Sequence, residues 1–213
     1  MGKSSASEFL ARRGVPIIDS DILAREMVKP GSQALLEIHA TFGPEMLTPQ
    51  GELDRTTLAA KIFGDEEARK KLEAILHPRI RSAWSAQLRM LAEEGRATTA
   101  AVVIPLLFET GAQASFDKII CVASSAGTQK KRLLQRGLSE VQIQARNAAQ
   151  WPVSKKMDLS DFVLWNDGSL DVLGQQIDLV FASLPHRQGV SPTGAGRDSV
   201  ERSARDTRRA LDL

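Results

Sequence analysis

The sequence predicts an α/β protein whose strands form a mostly parallel sheet. Four short runs rich in Val and Ile lie at residues 15–19, 101–108, 117–124 and 161–165. None of them alternates strictly between apolar and polar residues, which is typical of strands buried on both faces. Segments with helical periodicity separate these runs, and strands that alternate with helices favour parallel pairing. We therefore expect a parallel sheet that is covered on both faces.

The first elements are a helix and a strand. A helix is predicted from Ser4 to Arg13, because apolar residues recur on one side and Gly14 follows as a stop signal. The strand at 15–19 comes next. The second strand begins at residue 101 and is expected to end near Pro105.

Almost all of the stretch between these strands has a helical pattern. Helices are predicted within residues 32–43, 53–65, 65–78 and 79–95. Asp54 is placed as an N-cap and Gly64 as a stop, and Pro78 is expected to end the third helix. The stretch is long enough to form a helical insert over one edge of the sheet.

Two more helices and a polar tail complete the predicted organisation. Residues 139–150 open with Ser139 and Gln142 as a capping box, and residues 169–184 form an amphipathic closing helix. Residues 186–213 are polar and are predicted to be a mobile tail.

The composition excludes several classes of protein. One cysteine, Cys121, excludes an internal disulfide framework and suits a reducing cytoplasm. The net charge of +2 resides in the tail, and a neutral body argues against broad nucleic-acid binding. The longest apolar run, residues 100–108, is too short to span a membrane. No His, Cys and carboxylate set has the spacing of a zinc site.

The residues Gly2-Lys3-Ser4-Ser5 match the closing half of the phosphate-binding loop G-x-x-x-x-G-K-[ST]. In such a loop, backbone amides at the helix N-terminus hold phosphates, the lysine reaches the β and γ phosphates, and the first serine binds Mg²⁺. The following helix is predicted here, but the preceding strand and first glycine are absent. The alternative is a flexible N-terminus with a solvated lysine.

Two acidic residues follow the first predicted strand. Asp19 and Asp21 lie at its carboxyl end, the edge where ligands bind in open parallel sheets. They could serve as a catalytic base and a ligand in the metal shell. The alternative, which is compatible with the first, is that Asp21 caps the next helix.

A basic run and a histidine are further candidates. Arg132 and Arg136 are four residues apart on a predicted helix and share one face, so they could clamp a transferring phosphoryl group. The alternative is a solvated basic face. His77 precedes Pro78, and a lone histidine is more often a structural hydrogen-bonding residue than a catalyst.

Taken together, the motifs resemble those of the dephospho-CoA kinase family from Gly2 to about Leu184. Their order along the chain is the family's order. The segments that carry the resemblance are "GKSS", "IIDSDILAREMVKPGSQAL", "FGPEMLTPQGELDRTTLAAKIF", "LHPRI", "IPLLFETG", "QKKRLLQRGLS", "AAQWP" and "NDGSL".

The resemblance implies a fold and a reaction. It implies one kinase domain at residues 1–185: a parallel-sheet phosphate-loop NTPase core at 1–28 and 97–185, a helical acceptor-binding insert at about 29–96, and a small lid at about 128–158. The implied reaction transfers the ATP γ-phosphoryl group to the ribose 3′-hydroxyl of dephospho-CoA, the last step of CoA synthesis. The cofactor is Mg²⁺, and no nucleic acid or membrane partner is expected.

The resemblance also implies residue roles. Lys3 and Ser4, with Gly2 and Ser5, bind ATP and Mg²⁺. Asp21 matches the family's proposed general base, and Arg132 matches a lid arginine needed for transfer. The remaining implied contacts are Arg136, Asn166 and Gly168 on the ATP side, and Asp19, Arg25, Asp54, Arg55 and His77 on the acceptor side.

The front of the chain departs from the family, whose members begin with a strand and a longer glycine-rich loop. We expect Met1 to be an internal methionine of a longer chain, and a central strand to belong between residues 101–104 and 117–123. As it stands, the chain is expected to fold badly and to bind ATP poorly. Two alternatives stay open: another small-molecule kinase, or a degenerate kinase that binds dephospho-CoA without efficient turnover.

Overall fold

A computed structural model describes residues 2–95 and 97–184 of the chain. It contains four short strands, as the sequence predicts, and all strand pairing within the named strands is parallel. They are β1 (Ile17–Asp19), β2 (Ala101–Val103), β3 (Ile120–Ala123) and β4 (Phe162–Trp165). β1 pairs with β2, with Ile17 opposite Ala101, and β3 pairs with β4, with Ile120 opposite Phe162.

The described strands form two separate two-stranded sheets, β1-β2 and β3-β4. Between β2 and β3 lies a cavity of about 490 Å³ with a mainly apolar lining, whose walls include residues 101–104 of the first sheet and 117–120 of the second. The expectation that a further strand belongs at this place stays a prediction.

Nine α-helices surround the strands in the described ranges, and none of these is long and apolar enough to cross a membrane. They are α1 (Lys3–Arg12), α2 (Ser20–Met27), α3 (Gln33–Phe42), α4 (Arg55–Ile62), α5 (Glu66–Glu93), α6 (Ala126–Gln135), α7 (Glu140–Ala148), α8 (Val153–Asp158) and α9 (Leu170–Ser183). Short 3₁₀ turns occupy Pro44–Met46 and Ala112–Ser115.

The predicted caps at Asp54 and Ser139 are confirmed. The Asp54 carboxylate accepts hydrogen bonds from the backbone N–H groups of Thr56 and Thr57, both at 3.0 Å. The Ser139 hydroxyl accepts from the Gln142 N–H at 3.3 Å, and the Gln142 side chain accepts from the Ser139 N–H at 2.9 Å. These bonds satisfy N–H groups that have no partner inside the helix.

The predicted helix end at Pro78 is wrong, because α5 runs unbroken through the proline and is 28 residues long in total. Proline removes only one intrahelical hydrogen bond, that to the Ala74 carbonyl. Arg79 reinforces the affected turn: its guanidinium donates to the Ile75 carbonyl and to Glu37 of α3, each at 2.5 Å. Apolar side chains are buried on both sides of the proline, Ile75 before it and Trp84 after it. The hydrogen bonds of Arg79 and the burial of Ile75 and Trp84 therefore outweigh the tendency of proline to end a helix.

Three apolar clusters form the core. One joins α3, α4 and the first half of α5, and includes Ile38, Leu58 and Ile75. A second joins α1 and α9 to the β3-β4 sheet. The third joins α2 and the second half of α5 to the β1-β2 sheet. The predicted boundaries of the core, insert and lid stay predictions, and the predicted tail at 186–213 lies outside the described residues.

Candidate active site

The amino end of α1 is the centre of the candidate site. Gly2 precedes the helix with a φ of 100°, in the left-handed region that favours glycine. A Cβ at Gly2 would lie 1.9 Å from the side-chain nitrogen of Asn166, so a larger residue would displace that amide as well as strain the backbone. Gly2 provides no side-chain cap, and the first N–H groups of α1 thus suit an anionic ligand.

Lys3 begins α1 and is surrounded by charges of both signs. Burial lowers the pKa of its ammonium group, and the nearby cations Arg146 and Lys156 lower it further. The carboxylates of Asp21 and Asp19 act in the opposite direction and raise it. A desolvated lysine among other cations gains stability when an anion binds. Its neighbours Ser4 and Ser5 follow on the first turn, exposed and half-buried respectively.

Asp19 and Asp21 have different structural roles. Asp19, the last residue of β1, caps α2, because its carboxylate accepts a hydrogen bond from the Asp21 N–H at 2.8 Å. The interpretation of Asp21 as the cap is therefore wrong. Asp21 lies in the first turn of α2, and its side chain is exposed. Its negative charge is close enough to Lys3 to raise the pKa of that ammonium group. It is placed where a base could face a bound phosphate.

Arg132 connects α6 to the segment after β4. Its guanidinium donates a hydrogen bond to the Asn166 carbonyl at 2.7 Å, and the Asn166 N–H donates to the Ala123 carbonyl at 2.8 Å. Arg136, at the C-cap of α6, is exposed, as is Gly168 in the loop before α9. The structure therefore brings Gly2, Arg132 and Asn166 together, whereas no described contact joins Arg136 to them.

Of the predicted acceptor residues, Asp19 lies near Lys3, and two others share a cleft at the carboxyl end of α2. Arg25 and Arg55 line one cleft of about 280 Å³, together with Lys29 and Glu26. Asp54 caps α4 directly before Arg55, and the bonds from the Thr57 backbone and hydroxyl lower the pKa of its carboxyl group. His77 is half-buried in the middle of α5 and does not line this cleft.

Three charged residues were not predicted from the sequence: Arg146 and Lys156, which act on Lys3, and Glu109, which pairs with Lys156. Lys156 is buried; its ammonium group lies 2.7 Å from the Glu109 carboxylate and donates to the Pro105 carbonyl at 3.3 Å. Glu109 also accepts a hydrogen bond from the Trp151 N–H at 2.8 Å. Glu109 lies in the "IPLLFETG" segment, so the resemblance to the family could have indicated it as a site residue. Lys156 lies in a polar run that looks like a solvent-exposed helix, and the sequence therefore gave no signal for it.

The arrangement defines a class of protein. Parallel strands end beside a helix N-terminus with a Gly-Lys-Ser sequence, and that terminus faces one exposed carboxylate and several cations. This is the organisation of a phosphate-loop NTPase, in which bound phosphates lie at a helix N-terminus.

Comparison with known proteins identifies the family. The dephospho-CoA kinase family model matches residues 1–171. A dephospho-CoA kinase of Anaeromyxobacter dehalogenans is 42% identical over 189 residues, which are 88% of this chain and 89% of that protein. The one of Geobacillus kaustophilus is 41% identical, with 83% and 88% covered. This chain belongs to the dephospho-CoA kinase family.

Solved structures agree with this assignment. The crystal structure of TT1252 from Thermus thermophilus matches with a TM-score of 0.74 at 34% identity, covering 86% of this chain and 92% of that one. The dephospho-CoA kinase from Campylobacter jejuni matches with a TM-score of 0.63 at 30% identity, covering 85% and 90%.

Proposed function

We propose that this chain transfers the γ-phosphoryl group of ATP to the ribose 3′-hydroxyl of dephospho-CoA, giving CoA and ADP. Family membership supports the reaction. The charge pattern around Lys3 is the main support for the location of the site. Lys3 has a desolvated ammonium group at a helix N-terminus, and the Asp21 carboxylate is nearby. A phosphate chain and a hydroxyl nucleophile need these two opposite charges close to each other.

The phosphates of ATP would lie against the first turn of α1. The N–H groups of that turn and the Lys3 ammonium group would hold the β and γ phosphates. Arg146 and Lys156 add positive charge around the same point. Because these groups are fixed before the reaction, they stabilise charge on the transferring group without reorganisation.

Asp21 is the proposed general base. Its carboxylate would accept the proton of the 3′-hydroxyl while the hydroxyl oxygen bonds to the γ-phosphorus and the bond to the ADP oxygen breaks. A positioned base contributes roughly 10²- to 10⁴-fold to the rate. Arg132 would move from the Asn166 carbonyl to the γ phosphate as the lid closes.

The cleft with Arg25 and Arg55 is the proposed seat of the acceptor's phosphates. Two guanidinium groups can bind phosphate oxygens in the bidentate manner that suits arginine. Asp54 contributes by holding the start of α4, and thus the backbone of Arg55, in place. His77 is assigned no direct contact in this proposal.

The residues present also fit a magnesium ion. The Ser4 hydroxyl is exposed on the first turn of α1, and the Asp19 and Asp21 carboxylates act on the lysine that begins this turn. These are hard oxygen donors, and Mg²⁺ is commonly held by one or two carboxylates together with substrate phosphates. When bound, the ion would neutralise charge on the phosphate oxygens.

The test is a radiolabelled ATP assay with dephospho-CoA, run beside a nucleoside monophosphate and shikimate as control acceptors. Label should appear in CoA only. Label in another acceptor would overturn the substrate assignment. Dephospho-CoA binding measured by calorimetry, without ATP turnover at any enzyme concentration, would support the degenerate-kinase alternative instead.

A further inference from the structure

The buried pair of Glu109 and Lys156 lies beside the candidate site, and the reaction as described so far gives Glu109 no task. Glu109 follows β2 in the chain, Lys156 belongs to α8, and their charged atoms are 2.7 Å apart. A buried ion pair is a weak source of stability, because the desolvation of both charges offsets their attraction. Its presence next to a phosphate site therefore points to a role in the reaction.

The pair leaves hydrogen-bonding capacity unused. The Oε2 atom of Glu109 is buried and has no hydrogen-bond partner among the described residues. The Lys156 ammonium group, which has three N–H bonds, contacts the Glu109 carboxylate and donates to the Pro105 carbonyl at 3.3 Å. Within the described part of the chain, these two contacts account for at most two of the three N–H bonds. At least one donor of a buried ammonium group is thus left for a ligand.

The ammonium group of Lys156 lies close to that of Lys3. Its charge lowers the pKa of Lys3. Burial raises the pKa of the Cys121 thiol in β3, and the charges of Lys156 and Lys3 both act against that increase. The two ammonium groups are therefore within electrostatic range of the same point on β3. They repel each other in the ligand-free protein, and an anion that contacts both would remove this repulsion.

Glu109 also fixes the backbone that leads into α8. Its Oε1 atom accepts a hydrogen bond from the Trp151 N–H at 2.8 Å, and the same oxygen contacts Lys156. The Trp151 ring stacks on the ring of Phe108, with 6.4 Å between the ring centroids and 7° between the planes. One carboxylate therefore holds both ends of the segment from Trp151 to Lys156.

We propose that Lys156 is a second phosphate-binding lysine, which contacts a γ-phosphate oxygen of bound ATP, and that Glu109 is its positioning residue. Glu109 acts through Lys156: it keeps the ammonium group charged and in a fixed place beside Lys3, with an N–H bond left for the phosphate. A charge that is in place before transfer stabilises developing negative charge without reorganisation. The proposal rests on the proposed phosphoryl transfer and assigns two further residues to it.

The experiment compares kinase kinetics of the full chain with those of Glu109→Gln, Lys156→Met and the double variant, all assayed well below their melting transitions. Lys155→Met is the control for charge, because it removes the same charge from an exposed side chain that lies over the Trp151 ring. Leu72→Ala is the control for stability, because Leu72 is buried among α3, α4 and α5 and its truncation destabilises the protein without changing a site residue.

Lys156→Met should lower kcat by at least about 100-fold and Glu109→Gln by at least about 10-fold, because each weakens a fixed charge that acts on the transferring group. The KM for dephospho-CoA should change less than about twofold, since the acceptor does not contact either residue. Both controls should leave kcat unchanged. In the Lys156→Met background, Glu109→Gln should cost nothing further in kcat, because its effect passes through Lys156.

Three kinetic results would overturn the proposal. The first is a kcat of Lys156→Met equal to that of the unmodified chain. The second is a Glu109→Gln effect of the same size with and without Lys156, as independent effects would give. The third is an equal loss of kcat in Leu72→Ala, which would assign the losses to destabilisation.

Calorimetry with a non-hydrolysable ATP analogue separates this proposal from the proposed function, because it needs no acceptor. Lys156→Met should weaken binding of the analogue by at least about 10-fold and binding of ADP by less than about twofold, since ADP has no γ phosphate. Equal weakening of both nucleotides would overturn the proposal. The expected difference in a chain that does not phosphorylate dephospho-CoA would count against the proposed function alone, whereas failure of the unmodified chain to bind the analogue would overturn both.

Discussion

The buried pair of Glu109 and Lys156 yields the sharpest stability prediction. Its side chains are only 14% and 10% exposed, and the two charged atoms are 2.7 Å apart. Glu109→Gln keeps the size of the side chain and one acceptor oxygen, but it removes the negative charge that offsets the buried Lys156 ammonium group, which also donates to the Pro105 carbonyl. Removing one partner of a buried ion pair typically costs 3–5 kcal/mol, and because the amide oxygen and the Pro105 carbonyl can still accept from Lys156, we expect a value at the lower end, about 3 kcal/mol.

Equilibrium unfolding in urea and thermal melting would measure this cost. The expected change is a fall in melting temperature of about 6–12 °C for a domain of this size. Glu140→Gln is the matched control, because the Lys130–Glu140 pair has the same 2.7 Å separation with side chains 53% and 60% exposed. The control should leave the midpoint unchanged.

A double-substitution cycle separates the pair from its surroundings. Lys156→Met alone should destabilise the protein, because it leaves the Glu109 carboxylate buried beside the Trp151 N–H as its described partner. The double variant should be more stable than the sum of the two single effects predicts. The reasoning is refuted if Glu109→Gln costs no more than Glu140→Gln, or if the two single effects simply add.

Three further predictions concern the site and its supports. Asp21→Asn should lower kcat by at least about 100-fold with little change in the dissociation constant of ATP measured by calorimetry; an equal loss of both would indicate a structural role. Lys3→Met should raise the melting temperature of the ligand-free protein, because it removes a desolvated charge, while abolishing ATP binding; a lower melting temperature would contradict this. Hydrogen bonds lower the pKa of the Asp54 carboxyl group, so its stabilisation of α4 should be present above about pH 4 and disappear as the pH falls through the lowered value. Asp54→Asn should remove this pH dependence in unfolding curves recorded from pH 6 to pH 2, and an unchanged profile would exclude the assignment.

Much of the fold followed from local patterns in the sequence. The Val- and Ile-rich runs gave all four described strands, and Ser139 with Gln142 gave the start of α7, because pattern and capping are properties of a few consecutive residues. The helix end predicted at Pro78 was wrong because long-range contacts decided the outcome there. The local preference of the proline was outweighed by Arg79 and by burial against residues distant in the sequence.

The site was predictable only in part, since its geometry depends on contacts over long sequence distances. Asp19 and Asp21 were both found, but which of them caps α2 depends on backbone angles that spacing does not fix. Lys156 was missed because its burial depends on Glu109, 47 positions earlier in the chain. Which lysine of a polar run turns inward is decided by tertiary packing, which a single sequence does not reveal.

The unbroken path of α5 through Pro78 joins two of the three apolar clusters by a single element. Leu72 and Ile75 on one half are packed against α3 and α4, while Trp84 on the other half is packed against the β1-β2 sheet. A break at the proline would have supplied a hinge between these two clusters. With the helix intact, both clusters are attached to one rigid element, so the α3–α4 packing and the packing around Trp84 cannot shift independently of each other along α5.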